Sequence, residues 1–390
     1  MTVLPSLVAG LEFSTLPQQL VNGILLGAIY ALIALGYTMV YGVLKLINFA
    51  HGEVFMLGAY GALFTSWSLG FNEQAGRNSS DPTVLVMMLL ASMTLCGLAG
   101  VFIERLAYRP IRNQPRIASL ITAIGLSLLL QYAGQLVLPS SPPPSISDKA
   151  NPFRGNVEIP LRSADQTLLA KANELKTVSE TTKAEFDEQL KSEKSAFDLS
   201  PRGKELKEKF QQSERDYKNA LNDANKGALN IIIPQGQLIM LGTTILLMIL
   251  LTWLVMYTKA GRAMRAASLD FDAASLMGIN VNTVVTFTFF IGSALAGAGA
   301  MMSATFLGGT KIDTFFGMLP GVKAFVAAVL GGIGNIPGAV LGGLLMGVAE
   351  TLVIWSGNGN YKDAVAFVVL IVVLLVKPGG LLGSNKVEKV

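Results

Sequence analysis

Long apolar runs recur along the chain and restrict its fold more than any other feature. A helix needs about 20 apolar residues to cross the hydrocarbon core of a bilayer. In lipid, only helices and closed barrels satisfy their own backbone hydrogen bonds. Six such runs lie near residues 20–44, 53–69, 84–106, 117–138, 238–257 and 284–306. They predict an all-α fold, a polytopic membrane helical bundle.

Three further runs decide how many segments cross the membrane. Residues 321–333 are too few to span comfortably, residues 338–355 suffice, and residues 364–376 are few but strongly apolar. The sequence therefore predicts eight or nine transmembrane segments. The ambiguity lies within residues 315–337, which either re-enter the membrane or cross it.

The composition agrees with a membrane protein and excludes several classes. Of 390 residues, 51% are hydrophobic and 14% are charged, against roughly a quarter charged in soluble domains. One cysteine, Cys96, and one histidine, His51, exclude an intrachain disulfide and a multi-histidine metal centre. With so few nucleophiles and bases, an enzyme is the least favoured class. The first fifteen residues lack a basic n-region, so no cleaved signal peptide is predicted.

Basic residues lie in short loops between apolar runs, where they orient helices rather than bind nucleic acid. Two groups follow the third and fifth runs: Arg105, Arg109, Arg112 and Arg116, then Lys259, Arg262 and Arg265. We expect both loops in the cytoplasm. Two helices separate them, so the hydrophilic segment in between lies outside, which in a bacterium is the periplasm. Counting back predicts an external N-terminus, and counting forward predicts a cytoplasmic C-terminal tail if nine segments cross.

Three parts follow from this pattern: a transmembrane half at 1–138, an external charged insertion at 139–230, and a second transmembrane half at 231–390. Residues 145–229 carry 15 acidic and 15 basic side chains. Sparse apolar stripes at helical spacing predict two helices, near 164–196 and 201–225. An antiparallel helical hairpin that serves as an interaction surface is the favoured interpretation, and disorder is the rival.

Polar residues interrupt the first two apolar runs at Asn48, His51 and Glu53. They form a short turn in which Glu53 complements a helix dipole, or they line a water-filled path, because lipid leaves irregular backbone unsatisfied. Both interpretations stay open at the level of sequence. The three residues are therefore candidates for a translocation path.

Two ionisable residues, Lys323 and Glu350, lie inside or beside apolar runs, where an unpaired charge is costly. We expect them to pair across neighbouring helices, which is favoured over a role in binding solute or protons. They remain path candidates. Glu104 precedes Arg105 at the cytoplasmic end of its helix, and we expect an interfacial ion pair there.

A glycine-rich stretch at residues 331–347 contains three overlapping Gly-x-x-x-Gly spacings, formed by Gly334, Gly338, Gly342, Gly343 and Gly347. Close helix packing is their ordinary meaning in membranes. A phosphate-binding loop is disfavoured, because no Lys-Ser or Lys-Thr follows the glycines and no strand precedes them. The chain thus has no recognisable nucleotide site, and a partner must bind ATP if ATP energises transport.

The cytoplasmic segment 261–279 is helix-forming and carries charges of both signs. Arg262 and Arg265 come first, Asp270 and Asp272 follow, and Gly278 predicts the helix end. A helix lying on the membrane surface would offer its polar side to a soluble partner. An ordinary charged loop is the alternative.

Several strings resemble a known family. Asp272-Ala273-Ala274-x-x-x-Gly278 resembles the Glu-Ala-Ala-x-x-x-Gly loop by which ABC importer permeases dock on their ATPases, although Asp replaces Glu and the family's Ile-x-Leu-Pro is missing. Longer strings resemble the LIV-type branched-chain amino acid permease of the H-subunit type, at 22–42, 47–58, 104–110, 323–338 and 387–390. Residues 145–230 depart from the family's usual external loop.

The resemblance implies a multi-pass permease of the bacterial inner membrane, surrounded by lipid, that imports branched-chain or related hydrophobic amino acids. Its implied partners are a second permease subunit, two cytoplasmic ATP-binding subunits and a periplasmic substrate-binding protein. It implies no cofactor on this chain, with ATP bound by the partners. A permease for urea or short amides is the nearest alternative, and an ion-coupled secondary transporter is an alternative from another class.

Overall fold

The computed structural model describes residues 15–71, 79–112, 114–162, 166–192, 201–224, 229–307 and 310–383. Before the insertion lie α1 (Leu16–Leu44), α2 (His51–Ser68), α3 (Thr83–Ile103) and α4 (Arg116–Val137). The insertion contains β1 (Asn156–Arg162), α5 (Gln166–Ser192), α6 (Pro201–Ala224) and β2 (Leu229–Pro234). After it come α7 (Gln235–Tyr257), α8 (Lys259–Leu269), α9 (Phe271–Leu276), α10 (Val281–Phe306), α11 (Met318–Gly331), α12 (Ile336–Trp355) and α13 (Ala364–Val376). The predicted all-α class is confirmed.

Each of the nine apolar runs forms a helix, and the chain is a multi-pass membrane protein. Six of the helices are long and apolar enough to cross a bilayer: α1, α3 with its extension to Ile111, α4, α7, α10 and α12. Helix α2 is not among these six, and α11 and α13 are shorter apolar helices. At 1.5 Å per residue, α11 is roughly 21 Å long, which is less than the ~30 Å hydrocarbon core.

Helices α1, α2 and α10 form the core of the membrane unit. Most of α1 from Gly23 onward is buried, as are most of α2 and the second half of α10. A helix that is apolar on every face is stable only when neighbours surround it. Helices α3 and α10 both pack on α2. The Ser92 hydroxyl of α3 joins them, at 2.8 Å from the Gly58 carbonyl of α2 and 2.7 Å from the Gly297 carbonyl of α10.

The insertion forms a second compact unit, residues Val157–Ile233 together with a few residues near the N-terminus. Helices α5 and α6 pack against each other and run antiparallel: Thr182 contacts Ser213 at 2.8 Å, and the rings of Phe186 and Phe210 stack with centroids 6.3 Å apart. The predicted hairpin is confirmed within the described residues. Residues 193–200, where its turn was predicted, lie outside them.

Two features of the insertion differ from expectation. Strands β1 and β2 pair at the base of the hairpin, although only the run of three isoleucines ending at Ile233 signals a strand. The apolar stripe of α5 is also less regular than predicted: Leu168 is exposed, while Ala172 and Ser179 are buried. Small side chains fit the closest approach of two helices better than leucine does. On the exposed surface of α6, a hydrogen bond from the Lys209 side chain lowers the pKa of Glu205.

Candidate functional site

The polar residues between α1 and α2 form an ordered turn that side-chain hydrogen bonds stabilise. Helix α1 ends at Leu44, and Lys45 takes a left-handed conformation with φ 56°. The buried Asn48 then closes the turn. Its side-chain oxygen accepts hydrogen bonds from the Ala50 amide at 3.1 Å and from the Tyr108 hydroxyl at 2.8 Å. The side-chain oxygen of Asn48 is therefore accounted for by the turn and by Tyr108, a partner that sequence reasoning missed, whereas its buried Nδ2 has no partner among the described residues.

The turn folds back into the helical bundle, so the first residue of α2 lies inside the protein. The imidazole of His51, the first residue of α2, lies against Gly36, where a Cβ would collide with the ring. The rings of His51 and Tyr37 meet edge to face with centroids 4.6 Å apart. Gly36 lies about two helical turns before the end of α1. Helix α2 therefore starts inside the protein, as the water-path interpretation requires.

Helix α11 begins at the same depth. A Cβ on Gly321 would lie 2.8 Å from the Cα of Gly52, so the first turns of α11 and α2 touch. Neither helix has a side-chain cap at its start. At its other end α11 leads into the turn at Gly334, which lies beside Gly42 near the end of α1. The short helix thus runs from the interior of the bundle to the end of α1.

A cavity of about 320 Å³ opens where these two helix starts meet, between α1, α2, α4, α11 and α13. Glu53 of α2 lines it and is 2% exposed. Gln131 of α4, which also lines the cavity, donates a hydrogen bond of 2.6 Å to Glu53 Oε1. Glu53 Oε2 has no hydrogen-bond partner among the described residues. The cavity therefore contains a buried carboxylate with one free acceptor.

Lys323 and Glu350 form a buried ion pair, as expected for charges inside a membrane protein. Lys323 Nζ lies 2.7 Å from Glu350 Oε1 and 2.6 Å from Asp363 Oδ1. The Tyr30 hydroxyl donates to Glu350 Oε2 at 2.6 Å. The cluster connects α1, α11 and α12 with the residue that precedes α13. Sequence reasoning missed Tyr30 and Asp363, although a carboxylate directly before an apolar helix is a visible signal.

The ion pair expected at Glu104 is present, but its partners are Arg109 and Arg112 rather than the adjacent Arg105. Glu104 is fully buried, and its carboxylate contacts Arg109 at 2.8 Å, Arg112 at 3.1 Å and the Thr286 hydroxyl of α10 at 2.9 Å. Arg105 is exposed, because adjacent residues of a helix point in different directions. The contacts hold the C-terminal end of α3 to α10 at a π-helical turn, Glu104–Tyr108.

The segment 261–279, which the sequence places in the cytoplasm, forms two helices rather than the one predicted. Asp270 is extended, with φ −158° and ψ 120°, and separates α8 from α9. Its side chain accepts hydrogen bonds from the amides of Asp272 at 2.8 Å and Ala273 at 3.0 Å. An aspartate that caps the next helix interrupts the one before it. Gly278 ends the segment with φ +82°, which agrees with the predicted helix end.

The two faces of this segment differ in exposure. Met264, Ala267 and Ala274 are buried, whereas Leu269, Leu276 and Met277 are 84–89% exposed. Arg262, Asp272 and Ala273 are exposed as well. The Arg265 guanidinium donates to the Val255 carbonyl near the end of α7, so Arg265 anchors the segment to the membrane helices. The exposed face combines charged groups with three large apolar side chains.

Four of the five candidate packing glycines lie at close helix contacts. A Cβ on Gly338 or Gly342 would collide with carbonyl groups of α11, and one on Gly343 or Gly347 would collide with the backbone of α1. Gly334 differs from the expectation, since it lies in the turn before α12 with φ +92° and packs against nothing closely. Its role is to let the chain turn.

Among the described residues, no three His, Cys, Asp or Glu side chains lie together as a metal site. The described part of the chain thus offers a cavity with a carboxylate, a buried ion cluster and the exposed face of α8 and α9.

Comparisons with known proteins agree with this architecture. The family described as branched-chain amino acid transport system / permease component matches residues 19–374. The high-affinity branched-chain amino acid transport system permease protein BraD of Pseudomonas aeruginosa is 37% identical, over 96% of this chain and 97% of its own. The LivH proteins of Salmonella typhimurium and Escherichia coli, which carry the same description, are 36% and 35% identical over 97% of this chain and 99% of theirs. No solved structure matches the chain. Matched along nearly its whole length and built as a multi-pass helical bundle, the chain belongs to the family of branched-chain amino acid transport permease components.

Proposed function

We propose that this chain is the permease subunit of an ATP-driven ABC importer that moves branched-chain or related hydrophobic amino acids across the bacterial inner membrane. The observation that carries the proposal is the family match over residues 19–374, which includes the polar break, the cavity and the cytoplasmic segment. BraD and LivH are described as permease proteins of branched-chain amino acid transport systems. The chain does no chemistry on the solute.

The remaining subunits are those that the family resemblance implies. The sequence holds no recognisable nucleotide-binding loop, and in the proposed assembly two cytoplasmic subunits bind and hydrolyse ATP. A second permease subunit completes the path, and a periplasmic binding protein delivers the solute. The hairpin of α5 and α6 lies on the periplasmic side, as the basic loops at the cytoplasmic ends of α3 and α7 require.

The segment of α8 and α9 transmits the movement of the ATPase. Its anchored face, with Met264 and Ala267 buried and Arg265 bonded to the end of α7, moves with the membrane helices as a unit. Its exposed face, with Leu276 and Met277, suits a partly apolar groove on a soluble partner. ATP binding shifts the permease between states only as far as the ATPase binds the two states differently.

Uptake by the reconstituted complex tests this function. We expect proteoliposomes that contain both permeases, the ATPases and the binding protein to accumulate leucine only when ATP is present. Urea or acetamide accumulation without leucine uptake would favour the short-amide alternative. The cluster in which Glu350 and Asp363 share Lys323 is the feature an ion-coupled transporter would need. Leucine accumulation by this chain alone, driven by an ion gradient, would establish that alternative instead.

A double substitution on the cytoplasmic segment should uncouple the motor from transport. Asp272→Arg reverses an exposed charge, and Gly278→Val places a β-branched residue at φ +82°, where such residues are strained. We expect ATP hydrolysis to persist while leucine uptake per ATP falls at least tenfold.

The matched control is the pair Asp148→Arg with Gly357→Val. Gly357 has φ +80° and open space around it, and both residues lie on the opposite side of the membrane in the proposed orientation. The control pair should keep its uptake per ATP. Normal coupling in the Asp272 and Gly278 variant would remove the docking assignment.

A further inference from the structure

We propose that the cavity at the starts of α2 and α11 is a binding site for a zwitterionic amino acid, in which Glu53 receives the α-ammonium group. The inference rests on the proposed function and extends it, since it places a solute site within the permease itself.

The free oxygen of Glu53 is the first argument. A carboxylate that is 2% exposed and leaves one acceptor without a partner among the described residues carries an uncompensated desolvation cost. The ordinary explanation, that a carboxylate in the first turn of α2 complements the helix dipole, accounts for its position but not for the free acceptor. Because Gln131 holds Oε1 at 2.6 Å, the side chain is fixed and Oε2 is available to a cationic N–H donor.

The start of α2 is the second argument. Helix α2 begins beside the cavity at His51, its next residue Gly52 lines the cavity, and the helix has no side-chain cap. Helix α11 begins there too, at Met318, but Pro320 has no N–H and the amides of Met318 and Gly321 are bonded to carbonyl groups of the preceding turn. The amides of a helix N-terminus bind a carboxylate well. A ligand with both charges thus finds a partner for each: Glu53 for its ammonium group and the start of α2 for its carboxylate.

The rest of the cavity suits an apolar side chain. Val322 and Phe325 of α11, Ile124 of α4 and Leu370 of α13 line it. A volume of about 320 Å³ is at the small end of ligand sites, which run from ~300 Å³ upward. A neutral amide could donate an N–H to Glu53 Oε2, but it would bring neither a positive charge to that oxygen nor an apolar chain to the rest of the cavity. The site therefore selects a small, apolar amino acid over urea or a short amide.

Direct binding tests the site. The full-length chain in lipid nanodiscs is titrated with radiolabelled leucine, with 4-methylpentanoate and 3-methylbutylamine as competitors. The first competitor lacks the amino group and the second lacks the carboxylate. We expect leucine to bind, 3-methylbutylamine to displace it weakly and 4-methylpentanoate not to displace it. Glu53→Gln, which keeps an acceptor for Gln131, should weaken leucine binding at least tenfold.

A second pair of variants decides the matter if Glu53→Gln does not fold. Ser127→Phe places a ring in the cavity from α4, whereas Leu129→Phe places one on the exposed side of the same helix. Ser127→Phe should abolish leucine binding and Leu129→Phe should leave it unchanged. Absence of leucine binding to the wild type overturns the site. The site is also overturned if 4-methylpentanoate displaces leucine as well as 3-methylbutylamine does. It is overturned too if Glu53→Gln weakens leucine binding less than tenfold and Ser127→Phe does not abolish it.

ATP-driven uptake separates this inference from the proposed function. If the complete complex imports leucine and the cavity variants import it normally, the function stands and the site is wrong. If the wild-type complex imports no leucine, the proposed function itself is wrong, whatever the nanodisc titration gives.

Discussion

Replacing Lys323 with methionine should destabilise the protein by about 3–5 kcal/mol, the cost of breaking a buried ion pair by removing one partner. Lys323 is the only cation that the described contacts give Glu350, which is 3% exposed. Without it, the Glu350 carboxylate keeps one hydrogen bond, from Tyr30, and repels the nearby Asp363. Reversible unfolding of the purified chain in detergent, or steric trapping in bicelles, measures the loss.

Two further variants control for the size of the side chain and for charge removal as such. Lys323→Met combined with Glu350→Leu removes both buried charges and should recover most of the stability, because apolar groups replace such pairs at little cost. Lys218→Met breaks an exposed pair with Glu214 on the hairpin, and because solvent screens such surface pairs it should change the free energy of unfolding far less. A loss at Lys323 as small as the loss at Lys218 would show that the cluster is solvated.

The outcome also separates structure from transport. Glu350 and Lys323 were candidates for the translocation path, and their mutual contact explains them without any solute. If the doubly substituted chain is stable and its complex still imports leucine, the cluster is a structural joint between α11, α12 and the start of α13. If it is stable but inactive, the charges take part in transport.

The sequence predicted the apolar helices and the pairing of Lys323 with Glu350 for one physical reason. The membrane penalises polar groups so strongly that run length and isolated charges are informative by themselves. The hairpin was predictable from its helical periodicity. The break at Asp270 was within reach too, since aspartate followed by a helix-forming stretch is an ordinary cap signal.

Depth within the bundle could not be predicted. That α2 starts level with Gly36, and that α11 starts against Gly52, depends on how the chain folds back at Asn48 and on which glycines let backbones approach. Local sequence does not encode these tertiary contacts. For the same reason the cavity at Glu53, and the partners Tyr30, Tyr108 and Gln131, emerge only from the packed structure. The ion pair at Glu104 was predicted, but that its partners are Arg109 and Arg112 rather than the adjacent Arg105 depends on how the helix end packs.

Replacing Gly347 with valine should cost about 3 kcal/mol or more, at or beyond the upper end of the usual cost of overpacking. A Cβ at this position would overlap the backbone nitrogen of Gly27 and the carbonyl oxygen of Gly23 in α1. Backbone atoms cannot rotate away as a flexible side chain can, so α1 and α12 must separate. One turn along, a Cβ on Gly27 would lie 2.7 Å from the Cα of Leu344, which shows that the contact is tight on both helices.

Gly242→Val in α7 is the matched control, because nothing lies within 4 Å of a Cβ placed there. The two variants make the same chemical change in membrane helices, so helix propensity and hydrophobicity cancel in the comparison. Folded yield after extraction and the midpoint of thermal unfolding should fall for Gly347→Val and stay near wild type for Gly242→Val. Equal behaviour of the two would mean that α1 and α12 do not meet at these glycines. Since α1 also supplies Tyr37 to the cavity and Tyr30 to the ion cluster, separating it from α12 should weaken leucine binding by the same chain.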